Sequence, residues 1–380
     1  MQAGNPDLVA LIRARIRREG PVSFAWFMEQ ALYHPKLGYY SSGRCAIGRC
    51  GDYFTNVSVG PLFGRLLAAQ FADMWELLGR PDDFTIVEQG AHHGDFARDV
   101  LAAAGEKGGE FFSALHYRII EPFPILQERQ MEALRDSREK VDWENSLENL
   151  KPFCGVHFSN ELLDAMPVHL ISRDSGVEWR ERRVAESADG FTFVAEPIHD
   201  AKLRQHLESI VGDFTGSYET EVNLAALKWI ERVSRKLERG YLVMGDYGYP
   251  RDKFYSAERT SGTLQCYAQH HTISSPLGEV GEADISAHVD WTSIAERAAD
   301  VGLALVGFTD QHHFITGLIS RLPPGEFEGS EASTRRALQT LLHPELLGAS
   351  FQFLALGKNA PSELLSGFTF ARDARMALGL

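Results

Sequence analysis

Two short stretches combine residue types and spacing suited to binding a nucleotide-like cofactor. The run Glu88-Gln89-Gly90-Ala91-His92-His93-Gly94-Asp95 follows an apolar segment, Phe84-Thr85-Ile86-Val87, and opens a helical pattern. A strand, a glycine turn and a helix in that order form a crevice. Its glycines let main chain approach a ligand, and the start of its helix offers free N–H groups. Glu121 closes the next apolar segment, Tyr117-Arg118-Ile119-Ile120. An acid there can accept hydrogen bonds from both hydroxyls of a ribose. The pair fits NAD, FAD and S-adenosylmethionine alike, and equally an ordinary turn with a surface glutamate. The G-x-G-x-x-G fingerprint of dinucleotide sites is absent: counting from Gly90, its second glycine is His92 and its last is Asp95. Without a glycine run to receive a pyrophosphate, a cofactor lacking phosphate fits better than NAD.

A second candidate site is Ser159-Asn160-Glu161-Leu162-Leu163-Asp164-Ala165-Met166-Pro167, which follows the strand pattern Gly155-Val156-His157-Phe158. Reacting groups in doubly wound sheets sit just beyond such strand ends. Glu161 and Asp164 are three residues apart and share a face if the segment turns helically. Two carboxylates on one face would hold a guanidinium or an amine. The plainer reading gives Asn160 and Asp164 capping and turn roles. Metal binding is not expected. The pairs His92-His93, His270-His271 and His312-His313 put neighbouring side chains on opposite faces of a strand. Cys45 and Cys50 have no second close cysteine pair with which to complete four zinc ligands.

The elements around these sites follow from periodicity. Ser23 caps a helix beginning at Phe24, and a turn-rich, aromatic segment spans residues 34–56. Strands alternate with helices from residue 84 to residue 160, which implies a parallel sheet. Antiparallel strands are expected at 168–172, 178–184 and 191–194, then helix over 203–237 with a break near 212–217. A strand at 241–246 resumes the sheet, a long loop covers 247–288, and strands at 303–308 and 351–356 complete it. The chain has 380 residues and 44% hydrophobic content, within the range of folded globular proteins. Its 38 basic and 52 acidic side chains give a net charge of −14, which disfavours nucleic acid as a partner. No apolar run is long enough to insert into a membrane. Residues 1–20 interleave Leu8, Ile12 and Ile16 with Arg13, Arg15 and Arg17, an amphipathic helix and not a secretion signal. Four cysteines are too few for a disulfide framework and fit a reducing compartment.

Longer stretches make the pattern specific. GPVSFAWFMEQALYHPKLGYY (20–40), GDYFTN…LFG (51–64), IIEPFPILQERQ (119–130), SNELLDAMPVH (159–169), GDYGYP (245–250), GTLQCYAQHH (262–271) and DISAHVDW (284–291) together resemble the MidA-type methyltransferase family. That family comprises class I enzymes dependent on S-adenosylmethionine and related to the mitochondrial complex I assembly methyltransferase. The resemblance implies a Rossmann-like α/β fold: a seven-stranded, mostly parallel sheet ordered 3-2-1-4-5-7-6, with helices on both faces. It further implies a helical lid (1–80), a core (81–168 and 236–360), a cap inserted after strand four (169–235) and a tail (361–380). The implied reaction is methylation of a protein arginine, with S-adenosyl-L-methionine as cofactor and S-adenosyl-L-homocysteine as product. Gly90, Ala91, His92 and Gly94 would line the methionine side, Glu121 the ribose, and Tyr53, Thr55 and Tyr40 the lid. Asn160, Glu161 and Asp164 would sit at the methyl group. The implied partner is a protein with an accessible arginine, such as a respiratory complex I subunit, and a homodimer is compatible with the pattern. The compartment would be the bacterial cytoplasm, or the mitochondrial matrix in a eukaryote. Two positions depart from the family pattern: His92 replaces a glycine, and Val57-Ser58 replaces Pro-Glu. They keep open a scaffold without catalysis and a small-molecule acceptor.

Overall fold

The computed structural model describes the chain except for residues 1–3, 44–55, 175–177, 211, 213, 215, 269–270, 324–326, 328–330 and 344–350. Its contacts divide into two units. One comprises Met1–Phe54, Leu163–Lys228 and Tyr249–Asp290, the other Thr55–Leu162, Trp229–Gly248 and Trp291–Leu380.

The second unit is built on a sheet. Its strands are β1 (Phe84–Gln89), β2 (Leu115–Ile120), β3 (Val141–Glu144), β4 (Phe153–Asn160), β5 (Leu237–Tyr249), β6 (Ala304–Asp310) and β7 (Phe351–Lys358). They lie in the order β6-β7-β5-β4-β1-β2-β3, and a two-residue strand, Val289–Asp290, off this path makes eight where seven are expected. Strands β5, β4, β1, β2 and β3 run parallel, whereas β7 is antiparallel to both β5 and β6, so the sheet is mixed. The central strands read as continuous apolar runs because both faces are covered. On one face, helices Leu62–Leu77 and Asp95–Lys107 bring Phe71 and Phe96 onto Phe158, with ring centroids 5.7 and 4.6 Å away. Helix Leu62–Leu77 therefore belongs with the sheet, where the sequence boundaries put it in the lid. Residues 361–380 also join this unit, burying Leu365, Phe368 and Leu378. On the other face of β4, the His157 ring meets Trp229 edge-on at 5.3 Å. Both its nitrogens are buried without a hydrogen-bond partner among the described residues, and burial drives its pKa down to about 3, so the ring stays neutral.

Helices Pro6–Glu19 and Phe24–Tyr33 open the first unit, capped by Asn5 and Ser23; the Ser23 hydroxyl accepts from the Trp26 N–H at 3.2 Å. Antiparallel strands His169–Arg173, Arg180–Ser187 and Gly190–Pro197 form as expected from their turns. The expected helix over 203–237, with its break near 212–217, forms as separate helices Ala201–Glu208 and Leu224–Lys236, and a strand that was not expected, Tyr218–Val222, lies between them. Its alternating aromatic and β-branched residues favour a half-buried strand, and Tyr218, Thr220 and Val222 are all buried. The expected loop over 247–288 contains short strands Gln265–Ala268, His271–Thr272 and Asp284–Ser286. It is anchored by buried Glu221, which accepts from the Thr263 N–H, the Thr263 hydroxyl and the Leu264 N–H.

Close strand approach in the sheet depends on Gly155. Its φ is 145°, and an added Cβ would lie 2.1 Å from the Thr85 carbonyl oxygen on β1. Gly155→Ala is therefore expected to destabilise the protein by about 2 kcal/mol or more, from strain and displaced main chain. Urea unfolding reads this directly, and an unchanged midpoint would refute it.

Candidate functional site

Register brings the candidate residues to one level. Gln89 of β1 pairs with Ser159 of β4 on one side and Ile120 of β2 on the other. The next residues, Gly90, Asn160 and Glu121, therefore leave three neighbouring parallel strands side by side. Adjacent strands lie roughly 5 Å apart, so this row spans about 10 Å.

After β1 the chain turns tightly into helix Asp95–Lys107. Gly90 (φ 85°), His92 (φ 46°) and Gly94 (φ 84°) all take positive φ, and the Gly94 N–H donates to the Ala91 carbonyl at 2.7 Å. Gly94 occupies the N-cap position without a side-chain cap, so N–H groups of the first turn are left for another acceptor. His92 adopts the left-handed conformation that glycine would take, so the substitution preserves the turn. Its ring lies against His93, with centroids 3.7 Å apart. Arg129 only donates, so at 3.1 Å its Nη1 makes the His93 Nε2 an acceptor. Burial and then the Arg129 charge lower the His93 pKa. Glu88, before the turn, is buried and accepts from the Tyr117 hydroxyl at 2.7 Å; burial raises its pKa to about 7.

Glu121 is 4% exposed. Its Oε1 accepts from the Phe123 N–H at 3.0 Å and its Oε2 from the Gln130 amide at 3.0 Å. Burial raises its pKa to about 7, against the opposing pull of those two donors. Each carboxylate oxygen has a second lone pair, which leaves acceptor capacity for hydroxyls.

At the end of β4, Asn160 donates from Nδ2 to the Glu161 Oε1 at 2.9 Å and accepts at Oδ1 from the Asn56 Nδ2 at 3.2 Å. An ionised Glu161 only accepts, so it fixes the orientation of both amides. Glu161 itself has φ 52°, and its N–H donates to the Gly245 carbonyl at 2.9 Å. Asp246, fully buried, accepts from the Leu162 N–H at 3.1 Å and from the Tyr247 N–H at 2.8 Å. The segment after Glu161 forms no helix, so the premise that would put Asp164 on the same face fails. Asp164 belongs to the first unit, where its carbonyl accepts from the Ala287 N–H at 2.9 Å. Tyr40 is also in the first unit; its hydroxyl donates to Asp284 at 2.6 Å. Tyr53 and Thr55 lie outside the described residues.

Sequence reasoning missed Asn56, Gln130 and Asp246 as structural members of the site. Each lies within a quoted motif: Asn56 ends GDYFTN, Gln130 ends IIEPFPILQERQ, and Asp246 is in GDYGYP. Among the described residues, no cluster of three metal-ligating side chains occurs, and no helix is long and apolar enough to cross a membrane.

A glycine turn after β1, an acid after β2 and polar groups after β4 leave the sheet side by side, an arrangement compatible with the cofactor crevice of an α/β transferase. Comparison with known proteins supports this reading. The model of a family described as "Putative S-adenosyl-L-methionine-dependent methyltransferase" matches residues 66–309, and the chain belongs to that family. The chain is 26% identical to the human mitochondrial protein arginine methyltransferase NDUFAF7, over 96% of this chain and 85% of that protein. The Drosophila melanogaster homologue is 25% identical over 93% and 86%. A Burkholderia thailandensis crystal structure bound to S-adenosyl-homocysteine superposes with a TM-score of 0.87 at 30% identity, covering 98% of this chain and 99% of that one. The fold is that of an α/β methyltransferase, and the cofactor is S-adenosyl-L-methionine.

Left-handed backbone at His92 has a measurable cost. His92→Val is expected to lose about 1–2 kcal/mol of stability, because a β-branched side chain resists positive φ. His92→Gly should stay within about 1 kcal/mol of wild type. Chemical denaturation of the two variants checks this; equal stability of both would contradict the strained-turn account.

Proposed function

We propose that this protein transfers a methyl group from S-adenosyl-L-methionine to a guanidino nitrogen of a protein arginine. The observation that carries the reading is Glu161, an acid in left-handed backbone at the end of β4, oriented by the Asn160 amide and the Gly245 carbonyl. Non-glycine residues in such strained conformations concentrate at functional sites, where the surrounding structure over-determines them. The names of the mitochondrial relatives supply the acceptor class, a protein arginine.

The residues present fit the cofactor. Glu121 retains acceptor capacity for ribose hydroxyls, and the turn at Gly90, Ala91, His92 and Gly94 presents main chain without the glycine run that a pyrophosphate needs. When bound, S-adenosyl-L-methionine supplies a methyl group on a sulfonium centre, and its transfer leaves the neutral thioether of S-adenosyl-L-homocysteine. Glu161 accepts hydrogen bonds from the incoming guanidinium, holds the attacking nitrogen in line and takes its proton as the new N–C bond forms. Asn160 keeps the carboxylate in that orientation.

The test is methyl incorporation from labelled cofactor into a lysate lacking the endogenous protein, followed by acid hydrolysis. Label in methylarginine from the protein fraction, lost by 100-fold or so in Glu161→Gln, supports the reading. Label confined to small molecules refutes the arginine acceptor. A second expectation follows from Glu121. Its carboxylate is protonated in the free protein below about pH 7, and a protonated acid cannot accept from two hydroxyls as well. Affinity for S-adenosyl-L-homocysteine is therefore full above pH 7 and falls as the pH drops through it, by up to about tenfold per unit. A flat calorimetric profile between pH 5.5 and 8.5 would refute the ribose role.

A further inference from the structure

One buried side chain touches both halves of the cofactor crevice. Gln130, on helix Pro124–Ala133, is 0% exposed. Its Oε1 accepts from the Trp143 indole N–H at 2.9 Å. Its Nε2 donates to the His92 carbonyl at 2.9 Å and to the Glu121 Oε2 at 3.0 Å. Chemistry allows only this orientation of the amide. An indole N–H can only donate, so it takes the oxygen, and the His92 carbonyl and the ionised Glu121 carboxylate only accept, so they take the two N–H groups. Every hydrogen-bonding atom of Gln130 is thereby used except one lone pair, with no solvent to compete. The same residue seats the turn from below: a Cβ at Gly94 would meet the Gln130 Cα at 3.4 Å.

We propose that Gln130 is a positioning residue for cofactor binding: its amide ties the turn after β1, at the His92 carbonyl, to the acid after β2, at Glu121, and so sets the distance between the groups that hold the methionine side and the ribose of the cofactor. The proposal rests on the cofactor reading above. The bond from Gln130 to the His92 carbonyl holds the main chain of a residue whose φ of 46° is otherwise unfavourable. The bond to Glu121 stabilises its ionised form and fixes its orientation. Charged groups on the flanking elements do not take over this task. Arg129 is engaged with His93, Asp95 pairs with Arg98, and Glu144 meets Glu121 through its main-chain carbonyl. Trp143, through the indole N–H that orients the amide, is the supporting member. The arrangement couples the two ends of the crevice, so that loosening one loosens the other.

The test compares wild type, Gln130→Met and Trp143→Phe by calorimetric titration with S-adenosyl-L-homocysteine from pH 5.5 to 8.5, with thermal unfolding as the check on folding. Gln130→Met keeps the volume and loses both donors. Its affinity at pH 8.5 is expected to fall by about tenfold or more. The pH at which affinity is lost should also move upward, because a donor to the Glu121 carboxylate is gone. A purely structural role would lower stability without moving that pH. Trp143→Phe, a milder change, should weaken binding by a smaller factor with the same direction of shift, and it serves if Gln130→Met does not fold. Wild-type affinity and pH midpoint in a folded Gln130→Met, or in Trp143→Phe where only that variant folds, would overturn the proposal. A wild type that fails to bind at any pH would overturn the cofactor reading beneath it.

Discussion

Register among three parallel strands governs everything at this site. Strands β4, β1 and β2 end at one level because Gln89 pairs with both Ser159 and Ile120. From that shared edge three turns leave side by side, each carrying one class of group: main-chain donors, an acid, and an amide–acid pair. A one-residue slip of either neighbour would reverse the facing of every side chain on that strand and uncouple the row. The register is held by the apolar faces of the strands, with Phe158 against Phe71 and Phe96, and by glycines that permit close approach, above all Gly155. The core thus does more than stabilise the unit; it aligns the chemistry.

The price of that alignment is local strain and burial of charge. His92 and Glu161 sit in left-handed backbone, and Glu88 and Glu121 are acids removed from water with their pKa values raised to about 7. Each is offset by a specific hydrogen bond: Gln130 to the His92 carbonyl and to Glu121, Tyr117 to Glu88, and the Glu161 N–H to the Gly245 carbonyl. A buried carboxylate near its titration point responds strongly to an added donor, which suits it to sensing a ligand hydroxyl. The polar network and the strained turns are therefore one system, in which side-chain amides set geometry that propensity alone would not choose.

Much of this was legible in the sequence. Local patterns located β1, the glycine turn, the acid after β2 and the motif after β4, because each depends on residues adjacent in the chain. Ser23 capping and the tolerance of His92 for positive φ were readable for the same reason. The polar network was not. Gln130 meets His92 and Trp143, and Asn56 meets Asn160, across sequence separations that no periodicity reports. The condition for Glu161 and Asp164 to share a face is not met, because three-residue spacing gives one only in a helix, and Glu161 turns the chain out of helical conformation. The strand Tyr218–Val222 was hidden between two helical patterns, where its alternation spans only five residues.

Glu121 is the most exposed point of the account, since its burial, its raised pKa and its link to Gln130 all acquire meaning only if it binds the cofactor. Calorimetric titration of S-adenosyl-L-homocysteine into wild type and Glu121→Ala at pH 8.5 addresses this most directly. Loss of hydrogen bonds to a charged acceptor predicts affinity weaker by about tenfold to 100-fold in the variant, with the folded structure retained. Equal affinity of the two proteins would contradict the assignment of the crevice.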